Sequence, residues 1–419
     1  MNDVQEQGKF ARIITTTLLS VQGLVSASTI TSATIAAIVG QDITGNTNLA
    51  GIPGSVSQLG AAFSALIWSF VFERLGRRAG LTLGLSVGAS GAALAAFSVM
   101  RGSFPLLLLG LAIMASAKAS TDLGRFIAAE VNPPERRGRA VATVVLGGTL
   151  GSVLGPLLVD SSSASARGLG IEALSGPYAV AGLLLILSAI VAFLFLRPDP
   201  AKLAEQLAER YPNEKRDKAS ARTRAVIFKE PLVIAAIASM ILGYAVMVMM
   251  MGITSLHMRQ HAHSLRAISI VFSIHTLGMF AFSVFTGQLI DRWGRQKVII
   301  SGAIMLLASC LIAPLSTHFW PIALALFLLG LGWNFCYVGG STLLSDQLSA
   351  AEKAATQGTN DMLIGLTSAS VSALSGVLLF RIGYGGMGIF GAVLSGVLLL
   401  IMVGFGNRSK PPRVVLASD

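Results

Sequence analysis

Apolar residues run through this chain in long unbroken blocks, divided by short stretches rich in Gly, Ser and charged residues. Twelve such blocks cover approximately residues 12–40, 50–72, 79–100, 104–130, 139–160, 176–196, 230–256, 266–290, 297–316, 319–345, 355–379 and 384–406. Each is about 20 residues or longer, the length an α-helix needs to cross the hydrocarbon core of a bilayer. Membrane strands would alternate apolar and polar side chains over about ten residues, so the pattern predicts an all-α membrane protein and excludes a β-barrel. The blocks fall into two sets of six. Residues 1–196 and 230–419 are the two predicted helical bundles, and 197–229 is a predicted cytoplasmic linker. Within it, Leu203, Leu207 and Tyr211 recur every four residues among charged neighbours, which predicts a short amphipathic helix on the membrane face.

Composition narrows the class. Only 12% of the residues are charged and 53% are hydrophobic, whereas a soluble domain carries about 25% charge. The net charge of +11 would suit a nucleic-acid partner in a soluble chain, but here the charges mark loops. Of the 31 Lys and Arg, 24 fall on the side of the N-terminus, 5 on the other (Arg101, Arg167, Arg259, Arg266, Arg381), and Lys118 and Arg125 lie inside a span. Without the nine of the linker the ratio is still 15 to 5, which predicts both termini in the cytoplasm. Met1–Phe10 is short and polar, so the first span is expected to act as an uncleaved anchor. The expectation is a multi-pass protein of a bacterial cytoplasmic (inner) membrane, monomeric, without a nucleic-acid partner. Cys310 and Cys336 sit in apolar runs and behave as small hydrophobes, not as a disulfide or metal ligands.

A charged turn recurs once per half. Phe72-Glu73-Arg74-Leu75-Gly76-Arg77-Arg78 is matched 218 residues later by Ile290-Asp291-Arg292-Trp293-Gly294-Arg295-Gln296. A second acid follows each turn, Glu130 after 57 residues and Asp346 after 55, so the constellation is duplicated. These turns resemble the loop 2/3 signature of the major facilitator superfamily, Gly-x-Leu-x-Asp-Arg-x-Gly-Arg-Arg. The first copy departs from it at Ser69 and Glu73. The resemblance implies a secondary transporter of two six-helix bundles related by a pseudo-two-fold axis, with a substrate site between them. It also implies a conformational latch: Glu73 or Asp291 meets a neighbouring helix end, Arg77 or Arg295 pairs with Glu130 or Asp346, and Arg78 and Arg292 complete the turns. The other reading of these charges is plain cytoplasmic anchoring.

Gly151, Gly155 and Pro156 of the fifth span resemble the family's antiporter signature, with Val159 and Asp160 where two more glycines are usual. That resemblance is the hint for export; close packing of two helices is the alternative. In the fourth span Lys118, Asp122 and Arg125 share one helix face. Charges there face a cavity or one another. Asp122, flanked by two cations, serves as their counter-charge, and Lys118 near mid-span is a candidate for an anionic or polar substrate. Gly110 stands where the superfamily usually has an arginine. His275, near the bilayer middle, is a candidate proton relay or a helix–helix hydrogen bonder. Asp361 enters the eleventh span as a proton-coupling candidate or a helix cap.

In the tenth span Trp333 is a stacking candidate and Asn334 an orienting one, with core packing as the alternative. Gln22, with Ser26 and Thr29, is expected to line the pathway. His257, His261 and His263 lack a carboxylate or thiol beside them and read as a solvated loop with no metal. No nucleotide loop, cofactor motif or catalytic triad is present, so the energy must come from an ion gradient or from the solute's own, and the chain does not read as an enzyme. The expected function is proton-coupled export of small amphipathic organic molecules. The alternatives are an importer of a polar or anionic metabolite, or a non-transporting receptor or scaffold on the same fold.

Overall fold

The computed structural model describes residues 2–210 and 222–406, so Tyr211 lies outside the described residues. Helices α1 (Asn2–Thr44), α2 (Ile52–Leu75) and α3 (Arg77–Arg101) form the first three spans. The fourth is α4 (Phe104–Asp122) continued by α5 (Gly124–Glu130). The fifth is α6 (Pro134–Leu154), a 3-10 turn at Gly155–Leu157, and α7 (Leu158–Gly168); the sixth is α8 (Ser175–Phe195). Two short helices, α9 (Pro200–Arg210) and α10 (Arg224–Ile227), lead to α11 (Pro231–Gln260). The eighth span is α12 (Leu265–Phe280) with α13 (Ser283–Trp293), followed by α14 (Arg295–Ile312), α15 (Phe319–Asp346) and α16 (Ala350–Gly406).

Eleven continuous helical stretches are long and apolar enough to cross a membrane, against twelve expected. The difference lies in α16, whose 57 residues would extend about 85 Å if straight. Gly383, at φ 65 and ψ 177, breaks it into two antiparallel spans. The reversal is visible in the contacts. Gly388 packs on Cys310 and Pro314 at one end of α14, while Met402 accepts from Gln296 at the other, at 2.8 Å.

Each half is built around one tight crossing. In the first, a Cβ on Gly91 would lie 2.7 Å from the Gly110 carbonyl and one on Gly110 would lie 2.9 Å from the Gly91 carbonyl. In the second, Gly302 and Gly332 face each other in the same way, at 2.8 Å both ways. Backbones this close associate by van der Waals contact alone, which hydrocarbon cannot replace. The crossing also explains the missing arginine: position 110 is filled by the backbone of α3. Large apolar side chains such as Leu183, Leu324 and Leu400 point outward, more than half exposed, as a bilayer-facing surface requires.

Candidate functional site

The charged turns form the predicted pairs. Arg77 donates through Nε and Nη2 to the two oxygens of Glu130, both at 3.2 Å, and Arg295 donates through Nε to Asp346 at 2.7 Å. The glycines of the two turns are superposable in conformation, Gly76 at φ 86, ψ 168 and Gly294 at φ 85, ψ 158, a region only glycine occupies at low cost. Both ion pairs, however, lie within a half, α3 to α5 and α14 to α15. Their side chains are 26–41% exposed, which limits each pair to about 1 kcal/mol or less.

In this structure neither Glu73 nor Asp291 meets a helix end. Both are exposed, as is Arg292, and neither acid has a hydrogen-bond or ion-pair partner among the described residues. The first two amides of α3 are instead taken by Asp199, at 3.3 Å from Arg77 N and 3.2 Å from Arg78 N. The same carboxylate accepts from Ala201 N at 2.9 Å and so caps α9 as well. Its approach needs the bare Cα of Gly76, where a Cβ would sit 2.8 Å from Asp199 Oδ2. Leu203 of α9 is buried on this face and Leu207 packs beside it.

The start of α16 is capped by Glu352, which accepts from Ser349 N at 2.9 Å. Asp361 lies eleven residues further on and cannot cap it, which removes the capping reading. Arg222, at the end of the linker, closes on Glu352 with its backbone N–H (2.8 Å), Nε and Nη2 (3.0 Å each), and donates to Glu230 at 2.6 Å. Hydrogen bonding from Arg222, then from the Ser349 amide, holds the Glu352 carboxyl well below its ordinary range; Glu352 in turn raises Arg222.

The halves touch at the ends of their helices remote from the charged turns. Ser372 donates to Gly51 O at 3.1 Å, and Arg259 reaches Asp42 at 3.6 Å. Ser273 and Thr276 of α12 donate to Val153 O and Ser152 O at 2.8 and 3.0 Å. Pro156 explains the latter contact, because it has no N–H to give to the carbonyl four residues earlier. The freed Ser152 carbonyl therefore takes its donor from the other half. The glycines of this segment pack on α1: a Cβ on Gly151 would lie 1.9 Å from Gly23 O, and one on Gly155 2.6 Å from Ala27 O.

Nearer the charged turns the interior is accessible. Lys118 donates to Asp122 at 2.6 Å, yet the two side chains are 44% and 43% exposed although they lie between the halves. Their electrostatic neighbours come from the opposite half: Tyr244 of α11 and Tyr337 of α15 face Lys118, and Arg125 faces Asp361. Trp333 anchors an aromatic wall, stacked on Tyr337 (centroids 5.1 Å, 20° between planes) with Tyr244 and Phe280 edge-on at 5.8 and 6.0 Å. Its indole Nε1–H is buried and finds no acceptor among the described residues.

Other expected residues lie elsewhere. Asn334 is buried and uses both amide hydrogens on Met279 O (2.6 Å) and Ser283 Oγ (2.8 Å), while its oxygen accepts from Thr286 at 2.6 Å. It staples the break between α12 and α13, in accord with the packing account. His275 is fully buried and donates through Nδ1 to Leu326 O at 2.8 Å, as a helix–helix hydrogen bonder. Gln22 and Ser26 meet Gly148 at the α1–α6 contact. His257 stacks on Tyr384 and His263 reaches Thr317 O at 2.7 Å. Tyr337 and Tyr244 were not singled out from the sequence, although Tyr337 follows Trp333 by four residues and so shares its helix face.

Comparisons with known proteins agree with this architecture. The sequence matches the Major Facilitator Superfamily profile over residues 18–258 and again over 235–418. It is 33% identical over 380 residues to the MFS-type transporter YddS of Bacillus subtilis, covering 90% of this chain and 86% of that one. It is 30% identical over 350 residues to the riboflavin transporter RfnT of Brucella anthropi, covering 83% and 84%. Among solved structures the fold resembles the nucleoside transporter NupG, with a TM-score of 0.69 over 94% of this chain and 98% of that one at 16% identity. A multi-pass helical membrane protein with these relatives, this duplicated turn and a polar interior between two six-helix bundles belongs to the Major Facilitator Superfamily.

Proposed function

We propose that the chain is a secondary transporter that moves a small planar, polar organic solute by alternating access, exporting it in exchange for protons. The observation that carries the reading is the juxtaposition of the Trp333–Tyr337 wall in one half with the accessible Lys118–Asp122 pair in the other. A flat ring can stack on the wall, its polar edge reaching the ion pair. The riboflavin-carrying relative supports a planar solute. Asp361, exposed in the interior and facing Arg125, is the proton-carrying group in this reading. Residues 1–196 and 230–419 act as the two rocking units, joined by the linker, with both termini in the cytoplasm of a bacterial inner membrane. Glu73 and Asp291 engage when the cytoplasmic side closes.

Export rests on the Gly151–Pro156 signature, whose glycines are also needed for packing on α1. Uptake of an anionic metabolite is the second reading, favoured by the exposure of Arg125 beside Lys118. Purified protein in proteoliposomes, loaded with riboflavin and given an imposed pH gradient of either sign, tests both. The expected result is flux driven by the gradient toward the side that loses protons, lost in Trp333→Ala and uncoupled from pH in Asp361→Asn. Flux indifferent to the gradient would remove proton coupling. No ligand-induced thermal shift across a panel of planar heteroaromatics, riboflavin included, would remove the planar substrate.

A further inference from the structure

A cavity of about 510 Å³ opens between α3 and α8, away from the central site. Its walls include Thr82, Ser86 and Ser90 of α3 and Ile186, Ile190 and Phe193 of α8. The two isoleucines and Phe193 are about half exposed on the outer surface, where the bilayer lies. The hydroxyls in it do not make it polar. Thr82 donates to Arg78 O at 2.9 Å, Ser86 to Thr82 O at 2.9 Å and Ser90 to Val87 O at 2.7 Å, so each is turned back onto its own helix. What remains facing the cavity is hydrocarbon. From Thr82 to Ala93 the lining follows twelve residues of α3, about 16 Å of helix, or close to one leaflet of a hydrocarbon core about 30 Å thick.

The end of the cavity on the linker side is basic. The guanidinium of Arg78 lies 4.5 Å from the centre of the Phe193 ring and that of Arg197 lies 5.5 Å from it. Arg78 donates its Nε–H to Phe193 O at 2.9 Å, and its two terminal amino groups find no partner among the described residues. Arg197 is exposed. The acid nearby, Asp199, points its oxygens at the amides of Arg77, Arg78 and Ala201 and leaves a net positive mouth.

We propose that this cavity is a binding site for an anionic phospholipid of the linker-side leaflet, with one acyl chain along α3 and α8 and the phosphodiester between Arg78 and Arg197. Charge complementarity selects the occupant, because arginine pairs phosphate through fixed donors and a zwitterionic lipid brings the same phosphodiester with an ammonium of its own, which the two cations of the mouth repel. A basic pocket between helices at headgroup depth is a recurring lipid site.

Native mass spectrometry of the intact protein, titrated with phosphatidylglycerol or with phosphatidylcholine of the same chains, tests it. Wild type should retain phosphatidylglycerol in preference. R78Q/R197Q should bind it about thirtyfold more weakly, which at about 1 kcal/mol per cation is the expected headgroup contribution. S90F, which fills the cavity and leaves both cations, should lose the bound lipid, and R139Q, an exposed cation elsewhere, should match wild type. If the double variant unfolds, R197Q alone should still give about a fivefold loss. Equal retention in R197Q or S90F and wild type, or an equal loss in R139Q, would overturn the site.

Discussion

Gly51 offers the sharpest perturbation of the external closure, because it touches the other half with bare backbone. Its φ of −82° and ψ of −16° suit any L-residue, so Gly51→Ala introduces no conformational strain of its own. The added Cβ would lie 1.9 Å from Ser372 O and 2.6 Å from Ser375 Oγ. The halves would have to part by about 1 Å to relieve the contact, which stretches the Ser372 hydrogen bond to Gly51 O, now 3.1 Å. Overpacking of this kind costs about 1–3 kcal/mol, and the weakened hydrogen bond adds about 1 kcal/mol. A bias of about 2–4 kcal/mol against the externally closed state is a shift of roughly thirtyfold to several hundredfold in the conformational equilibrium.

Spin labels at Glu172 and Thr317, in external loops of opposite halves, read that shift as a longer distance population. Cys310 and Cys336 are buried and do not compete for the label. Gly252→Ala, where a Cβ meets nothing within 4 Å, is the control. Identical distance distributions for Gly51→Ala and wild type would refute the inference that this contact holds the external side closed.

Asn334→Ala removes three hydrogen bonds at a buried break and should lower stability by about 2–4 kcal/mol, seen as a reduced thermal midpoint with weaker transport as a secondary effect. Trp333→Ala should weaken ligand binding by about tenfold in titrations, and because the ring is buried against Tyr337, Tyr244 and Phe280 it should lower the midpoint as well, by about 3–5 kcal/mol of stability. Glu352 has its folded-state pKa depressed below its ordinary 4.5. Its contribution is therefore present above about pH 4.5 and lost as pH falls below it, so Glu352→Gln should flatten that part of the midpoint-versus-pH curve. Pro156→Ala restores an N–H that competes for Ser152 O against Thr276; external closure should weaken, with the same spin-label pair as the readout.

The spans were legible because a helix in lipid must satisfy its backbone internally and show apolar side chains outward, so hydropathy alone marks it. The break at Gly383 was legible too: an Arg and a Gly interrupt the last apolar stretch, although the helices continue closer to the break than the pattern suggested. Arg77–Glu130 and Arg295–Asp346 were readable because the chain states the arrangement twice. Asp199 was not, since it caps a helix whose first residues lie 121 and 122 positions away. His275 and Asn334 mark a different limit. Counting residues gives the depth of a side chain in the bilayer but not which neighbour its face meets. For both that face meets another helix, at Leu326 and at Met279.

The fifth span makes the same point about function. Read alone, Gly151 to Pro156 is a signature associated with export. In the folded chain the glycines let α6 lie on α1, and the proline strips one carbonyl of its helical donor so that Thr276 of the other half can supply it. The segment thus acts on the closure of the external side. Arg77–Glu130 and Arg295–Asp346 act within their halves, and Glu73 and Asp291 stand exposed at the opposite end of the molecule. In the proposed transport cycle, motifs at opposite ends of the molecule would bias the two ends of one rocking motion. Neither touches the Trp333 wall or the Lys118–Asp122 pair, so selectivity and gating are separable by mutation.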